Sequence, residues 1–135
     1  MYEKLTGLLT DLQNDPFGEW ITDKENDGSP GHPIQMAYVK YSDCVRRFRN
    51  VLYQFLDDHP DLMPEGYQDT LKKAGIEWGD APMKNADVSD LDAHTVLALL
   101  LGAVRADRFC EGALLDFLQS GCITKWLSRL REIDQ

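Results

Sequence analysis

Apolar residues spaced three and four positions apart predict a helix at the start of the chain. They lie on one face of a helix over 2–13 and are Leu5, Leu8, Leu9 and Leu12. Aromatic and β-branched residues then dominate 19–22 and 35–41, and the stretch 23–33 between them is rich in Gly, Pro, Asn and Asp. This composition is typical of two strands joined by a long loop, so we expect a β-hairpin.

Helical periodicity returns after the hairpin. An apolar face repeats from Asp43 onward, and His59-Pro60 ends this helix because the residue before a proline avoids helical angles. A short helix is expected over 64–73, with Gly75 as the residue just after its C-terminal cap. Residues 76–87 include Gly, Pro and Asn without a helical period, so they predict an irregular connection.

The last third of the chain carries the strongest helical signal. Every residue from Val96 to Val104 is apolar, which in a globular protein marks a helix that others cover on all sides. Ser89 followed by Asp92 has the spacing of a capping box and predicts that this helix begins near residue 90. Two more helices are expected after it, the first ending at Gly121.

These elements predict a single all-α-dominated domain over residues 1–135, α with a small β-hairpin. We expect a helical bundle of five to six helices around the central apolar helix 90–105, with the hairpin docked on one side. The longest apolar run has nine residues, too few to span a membrane. The N-terminus lacks the features of a signal peptide, and three cysteines without CxxC spacing predict reduced thiols. The expected location is therefore cytoplasmic.

The charge distribution favours a basic protein partner over nucleic acid. The formal net charge is −9 at pH 7. Residues 1–34 hold seven acidic and two basic side chains, and residues 61–95 hold eight and three. A surface of this sign repels phosphate backbones and attracts basic surfaces. A solvated acidic surface without a partner is the simpler explanation of the same charge.

Two tryptophans stand beside the acidic residues of these stretches and are candidate anchors of a partner-binding surface. The candidate surface comprises Trp20, Asp23, Glu25, Asp27, Glu77, Trp78 and Asp80. If the two acidic stretches face the same way, they form one negative face that steers a cationic protein. Each tryptophan taken singly is more readily explained as cover for a small core.

A second set of residues is expected to support the fold. Arg105, Arg108 and Glu111 repeat at three-residue intervals beside Asp107 and Asp116. This set could grip a phosphate, but ion pairs that tie helix ends together are the simpler prediction. In the last helix Trp126 belongs to the apolar stripe, and Arg129 lies outside it.

The chain contains no catalytic motif, phosphate-binding loop or dinucleotide fingerprint, so a non-catalytic role without a cofactor is favoured. The alternative is a small hydrolase or transferase whose loops bring together Glu25, His32 and Glu77. Residues 23–28 imitate the opening of a calcium loop, but Ile34 stands where a bidentate carboxylate is needed. No metal site is therefore expected.

Several short motifs make the sequence similar to an uncharacterised bacterial family of unknown function, the 6508 family, most strongly over 86–131. The motifs are Ala86-Asp87-Val88, Leu91-Asp92, Leu100 to Phe109, Glu111-Gly112, Phe117, Gly121-Cys122-Ile123 and Trp126 to Leu130. Weaker matches lie at 18–20 and 32–36. The resemblance implies no activity. It implies an α-rich domain, a gut-type anaerobic bacterium and a mobile-element setting.

Overall fold

A computed structural model describes residues 2–14, 16–22, 28–31, 37–62 and 66–134. Within these ranges the chain forms α1 (Glu3–Thr6), α2 (Leu9–Asn14), β1 (Gly18–Ile21), β2 (Tyr38–Tyr41), α3 (Asp43–Asp58), a 3-10 turn (Pro60–Leu62), α4 (Tyr67–Lys73), α5 (Asp80–Lys84), α6 (Ala93–Ala106), α7 (Ala113–Gln119) and α8 (Cys122–Asp134). The predicted fold class, helical with one small hairpin, is confirmed. Among the described residues no helix has the length and apolar character needed to cross a membrane.

Helix α6 is the centre of the fold. All of its residues from Thr95 to Val104 are buried, and α4, α7 and α8 pack against it. The prediction of a central apolar helix is therefore confirmed. The helix begins later than expected because Asp92 is its N-cap, with its carboxylate accepting from the Thr95 amide at 2.9 Å. Ser89 belongs instead to a turn held by Asp87.

The N-terminal helix and the connection after α4 depart from the sequence expectation. The helix predicted over 2–13 is divided into α1 and α2 at Gly7 and Leu8, since glycine is a poor helix former. The connection predicted to be irregular contains α5. This short helix is stabilised by fully buried Met83 and by an ion pair between Asp80 and Lys84, one turn apart.

The hairpin docks on the turn that joins α6 to α7, residues 107–112, hereafter the α6–α7 turn. Strands β1 and β2 are antiparallel, with Trp20 opposite Val39 and Gly18 opposite Tyr41. Side chains alternate between the two sides of the strand, and Val39 and Tyr41 are the buried ones of β2. The inner face of the hairpin therefore meets the helical core at the α6–α7 turn.

Candidate protein-binding site

The α6–α7 turn is held in place by one partly buried hydrogen-bond network. The Asp107 carboxylate accepts from the Tyr41 hydroxyl at 2.9 Å and from the amides of Gly112 and Leu114 at 3.1 and 3.2 Å. The Tyr41 oxygen in turn accepts from the Leu115 amide at 3.1 Å. Burial, and then the hydrogen bond to Asp107, hold the pKa of Tyr41 above its usual value. The hydroxyl therefore stays protonated and joins the hairpin to the turn.

Trp20 lies on this turn at Gly112. A Cβ atom at Gly112 would stand 2.3 Å from Cζ2 of the Trp20 ring, and Gly112 has a φ of +87°. Glycine is needed there for both reasons, the close approach and the left-handed backbone. Beside it, the Glu111 carboxylate accepts from the Val39 amide at 2.8 Å. Trp20 is nevertheless 49% exposed.

Trp78 contacts the same turn at Phe109. The two rings meet edge to face with centroids 5.4 Å apart, and the Trp78 indole nitrogen donates to the Gly102 carbonyl at 3.3 Å. Gly102 admits this contact because a side chain there would press on Trp78 and Met83. Phe109 itself is 73% exposed. The structure thus brings the two predicted tryptophans to one turn and adds exposed Phe109, which contacts Trp78.

A groove of about 410 Å³ opens between α5, the α6–α7 turn and α7. Its apolar lining comes chiefly from Trp78, Met83, Ala106, Phe109, Ala113 and Phe117. The lining also includes three exposed acidic residues, Asp80, Glu111 and Asp116. The arrangement, an apolar depression with acidic groups around it, suits recognition of an apolar side chain accompanied by positive charge.

Lys84 places a cation at one edge of this groove. Its ammonium lies 2.8 Å from the Asp80 carboxylate, forms an ion pair with Asp116, and is 5.5 Å from the centroid of the Phe117 ring. The hydrogen bonds to Asp116 and then Asp80 raise the pKa of Lys84, and Lys84 lowers the pKa of Asp116. Lys84 and Asp116 are therefore both charged near neutral pH.

The remaining predicted surface residues are placed as follows. Asp23, Glu25 and Asp27 lie outside the described residues, as does His32 of the enzymatic alternative. Asp80 lines the groove. Glu77 lies in a separate recess with Gln68 and Lys72, although Trp78 borders both. The described part of the predicted surface is thus Trp20, Trp78 and Asp80 around the turn, with Glu77 to one side.

The arginine and glutamate set after α6 makes contacts other than the expected ion pairs. The Arg105 guanidinium lies 5.8 Å from the centroid of the Tyr53 ring, and its Nε is buried without a hydrogen-bond partner. Arg108 is exposed, and the Glu111 carboxylate accepts from the Val39 amide of the hairpin. Within the described ranges no ion pair joins Arg105, Arg108 and Glu111, because the chain leaves the helix at residue 107 and their spacing no longer places them on one face.

Two residues of α8 were also expected to support the fold, and they lie in the core and at its edge. Trp126 is buried and packs on Phe117 with ring centroids 5.8 Å apart. The Arg129 side chain donates to the Leu91 carbonyl at 3.0 Å and pairs with Glu132 at 3.3 Å. Arg129 therefore connects α8 to the segment that precedes α6.

Sequence reasoning missed Phe109, Met83 and Asp116 as groove residues, and Lys84 at the edge of the groove. Phe109 carries a signal that could have found it: it follows the polar residues that end α6 and stands outside any apolar stripe. Met83 and Lys84 fall in a stretch that has no visible period. Of the three cysteines, Cys44 and Cys122 are buried, Cys110 is exposed in the groove lining, and all are free. Among the described residues no three potential ligands are grouped to hold a metal ion.

The model of the Family of unknown function (DUF6508) matches residues 2–135. The chain belongs to this family, which confirms the resemblance seen in the sequence. No curated protein and no solved structure matches the chain.

Proposed function

We propose that this DUF6508 chain is a non-catalytic binding protein whose α6–α7 turn and adjoining groove dock a basic protein partner. The observation that carries the proposal is the cluster of Trp20, Trp78 and Phe109 on one turn, beside an apolar groove. Phe109 is 73% exposed, and large aromatic side chains dominate the binding energy of protein interfaces. An aromatic cluster with two exposed members, Trp20 and Phe109, next to an apolar depression is typical of a docking site.

Charge supports a basic partner. The chain carries a net charge of −9, and the groove lining includes the exposed acidic residues Asp80, Glu111 and Asp116. This sign attracts cationic surfaces and opposes self-association and direct binding of nucleic acid. A nucleic-acid-binding face is one such cationic surface, so we include in the proposal a regulatory role in which this chain occupies that face of its partner. The cytoplasmic location and the mobile-element setting stay predictions.

The test begins by capturing a partner from bacterial lysate, identifying it and purifying it. Binding of the purified partner is then measured with the wild-type chain and with a Trp20→Ser, Phe109→Ser double variant. We expect the double variant to bind at least about tenfold more weakly, because truncating central aromatic anchors costs 2 kcal/mol or more in many interfaces. The association rate should also fall as salt rises through about 0.15 M, where the screening length is about 8 Å.

Tyr38→Ser is the matched control. Tyr38 is also a large exposed aromatic residue of the hairpin, but it alternates with the buried residues of β2 and faces away from the α6–α7 turn. Its replacement should leave binding unchanged. A partner that binds the Trp20, Phe109 double variant as tightly as the wild type, or whose association rate ignores salt, would contradict the proposal.

A further inference from the structure

The size of the groove limits what it can hold. About 410 Å³ between Trp78, Phe109 and the floor residues Met83 and Phe117 is too little for a whole helix or strand. It suits one large apolar side chain, of the kind that buries about 150–250 Å² in an interface. Met83 and Phe117 are themselves buried, so the floor is part of the core and is present before any ligand arrives.

The edge of the groove is already built to bind a cation. Two carboxylates and one aromatic ring surround the Lys84 ammonium, and each of these contacts favours positive charge. The Asp80 and Asp116 side chains are both more than half exposed, so their outer oxygens can be reached by a second molecule. Lys84 is attached through a flexible four-carbon chain, so its ammonium can leave the two carboxylates without a change of the backbone.

We infer that the groove is the anchor subsite for a short segment of the basic partner, one that carries a large apolar residue next to an arginine or lysine. The inference rests on the proposed binding function. The apolar side chain enters between Trp78 and Phe117. The neighbouring basic side chain binds Asp80 and Asp116 in place of Lys84, which acts as the chain's own substitute for the ligand cation. Arginine fits best because its guanidinium binds carboxylates through two parallel hydrogen bonds.

The probe for this subsite is an arginine-tryptophan dipeptide with blocked termini, titrated into isotope-labelled protein and followed by the amide signals of α5 and α7. Its matched controls are the glutamine-tryptophan and arginine-alanine dipeptides. We expect the arginine-tryptophan probe to shift the signals of residues 109–117 and to bind more tightly than either control. Equal binding of the arginine and glutamine probes would overturn the inference.

A Lys84→Met variant separates this inference from a purely structural role of Lys84. If Lys84 competes with the ligand cation, its removal should tighten binding of the arginine-tryptophan probe about threefold, the scale of an exposed ion pair. Lys72→Met is the control, because it removes the same charge from an exposed position on α4. Unchanged or weaker binding by Lys84→Met, or equal tightening by Lys72→Met, would overturn the inference.

An Asp80→Asn, Asp116→Asn double variant completes the test. It should remove the preference for the arginine probe and leave the glutamine probe unaffected, with native folding verified by circular dichroism. The dipeptide measurements need no captured partner, so the subsite inference can fail separately from the docking function. If these dipeptides do not bind in the groove while the captured partner still depends on Trp20 and Phe109, the subsite inference fails and the docking function stands. If the affinity of the captured partner does not depend on Trp20 and Phe109, the docking function fails, and the inference that rests on it fails too.

Discussion

Replacing Gly112 with alanine tests how closely the α6–α7 turn holds Trp20. The substitution adds one methyl group at a position where the backbone has a φ of +87° and the Trp20 ring occupies the space that Cβ would need. Two separate costs are expected, one from the backbone and one from the ring. Gly121 offers the comparison, because its φ is +85° but a Cβ there would have no atom within 4 Å.

The magnitude follows from these two costs. An alanine in the left-handed region costs about 1–2 kcal/mol at either glycine. At Gly112 the methyl group also displaces the Trp20 ring, which is 49% exposed. A tryptophan ring with about 100 Å² buried forfeits about 2 kcal/mol, taken at about 20 cal/mol per Å² of buried apolar surface, if it leaves that position. We therefore expect Gly112→Ala to lower the free energy of unfolding by about 3–4 kcal/mol, and Gly121→Ala by about 1–2 kcal/mol.

The assay is urea denaturation followed by circular dichroism, repeated in a Trp20→Ala background. With the ring removed, Gly112→Ala should cost only the backbone term, so the two substitutions should show a coupling energy of about 2 kcal/mol. The reasoning is refuted if Gly112→Ala costs no more than Gly121→Ala, or if its full cost persists when Trp20 is absent.

Further outcomes are expected for three other sites, all measured by denaturation monitored with circular dichroism. Leu100→Asp places an unpaired charge in the middle of α6, so it should show no cooperative melt; a native melt would remove α6 from the centre of the fold. Tyr41→Phe leaves the Leu115 amide without its acceptor and should cost about 1–3 kcal/mol. Since the folded pKa of Tyr41 is raised, this contribution is complete below about pH 10 and is lost as the pH rises further; an alkaline loss that persists in the variant would contradict the assignment. Asp92→Ala removes the α6 cap and should cost about 1 kcal/mol. Because hydrogen bonds from Thr95 lower the pKa of Asp92, that contribution is present above about pH 4 and disappears as the pH falls; equal stability of variant and wild type at pH 7 would contradict it.

Local patterns account for the elements that sequence reasoning predicted correctly. The continuous apolar run of α6 requires a helix with no solvent-facing side, and the structure buries every residue of that run. Gly75 ends α4 as expected, with a φ of +79° and with the amides of Gly75 and Ile76 bonded back to Lys72 and Leu71. These outcomes depend on residues within one or two turns of each other, so the order of residues is sufficient to predict them.

Part of the candidate site could also be read from the sequence. The sequence singled out two tryptophans and an acidic residue that lie in stretches without an apolar period: Trp20, Trp78 and Asp80. The structure places all three around the α6–α7 turn. The groove itself could not be predicted. Met83 and Asp116 lie on α5 and α7, two helices whose mutual packing no local pattern specifies.

Tertiary structure alone decided how the turn is built. The hydrogen bond between Tyr41 and Asp107 joins residues that are 66 positions apart, and the Lys84–Asp116 contact spans 32 positions. The sequence by itself determined the α-rich class, the central helix, the hairpin and the excess of negative charge, because periodicity, turn residues and composition are local or summed properties. Which surface side chains meet depends on how the finished helices pack on α6, and a side chain's partner across the core has no fixed spacing in the sequence.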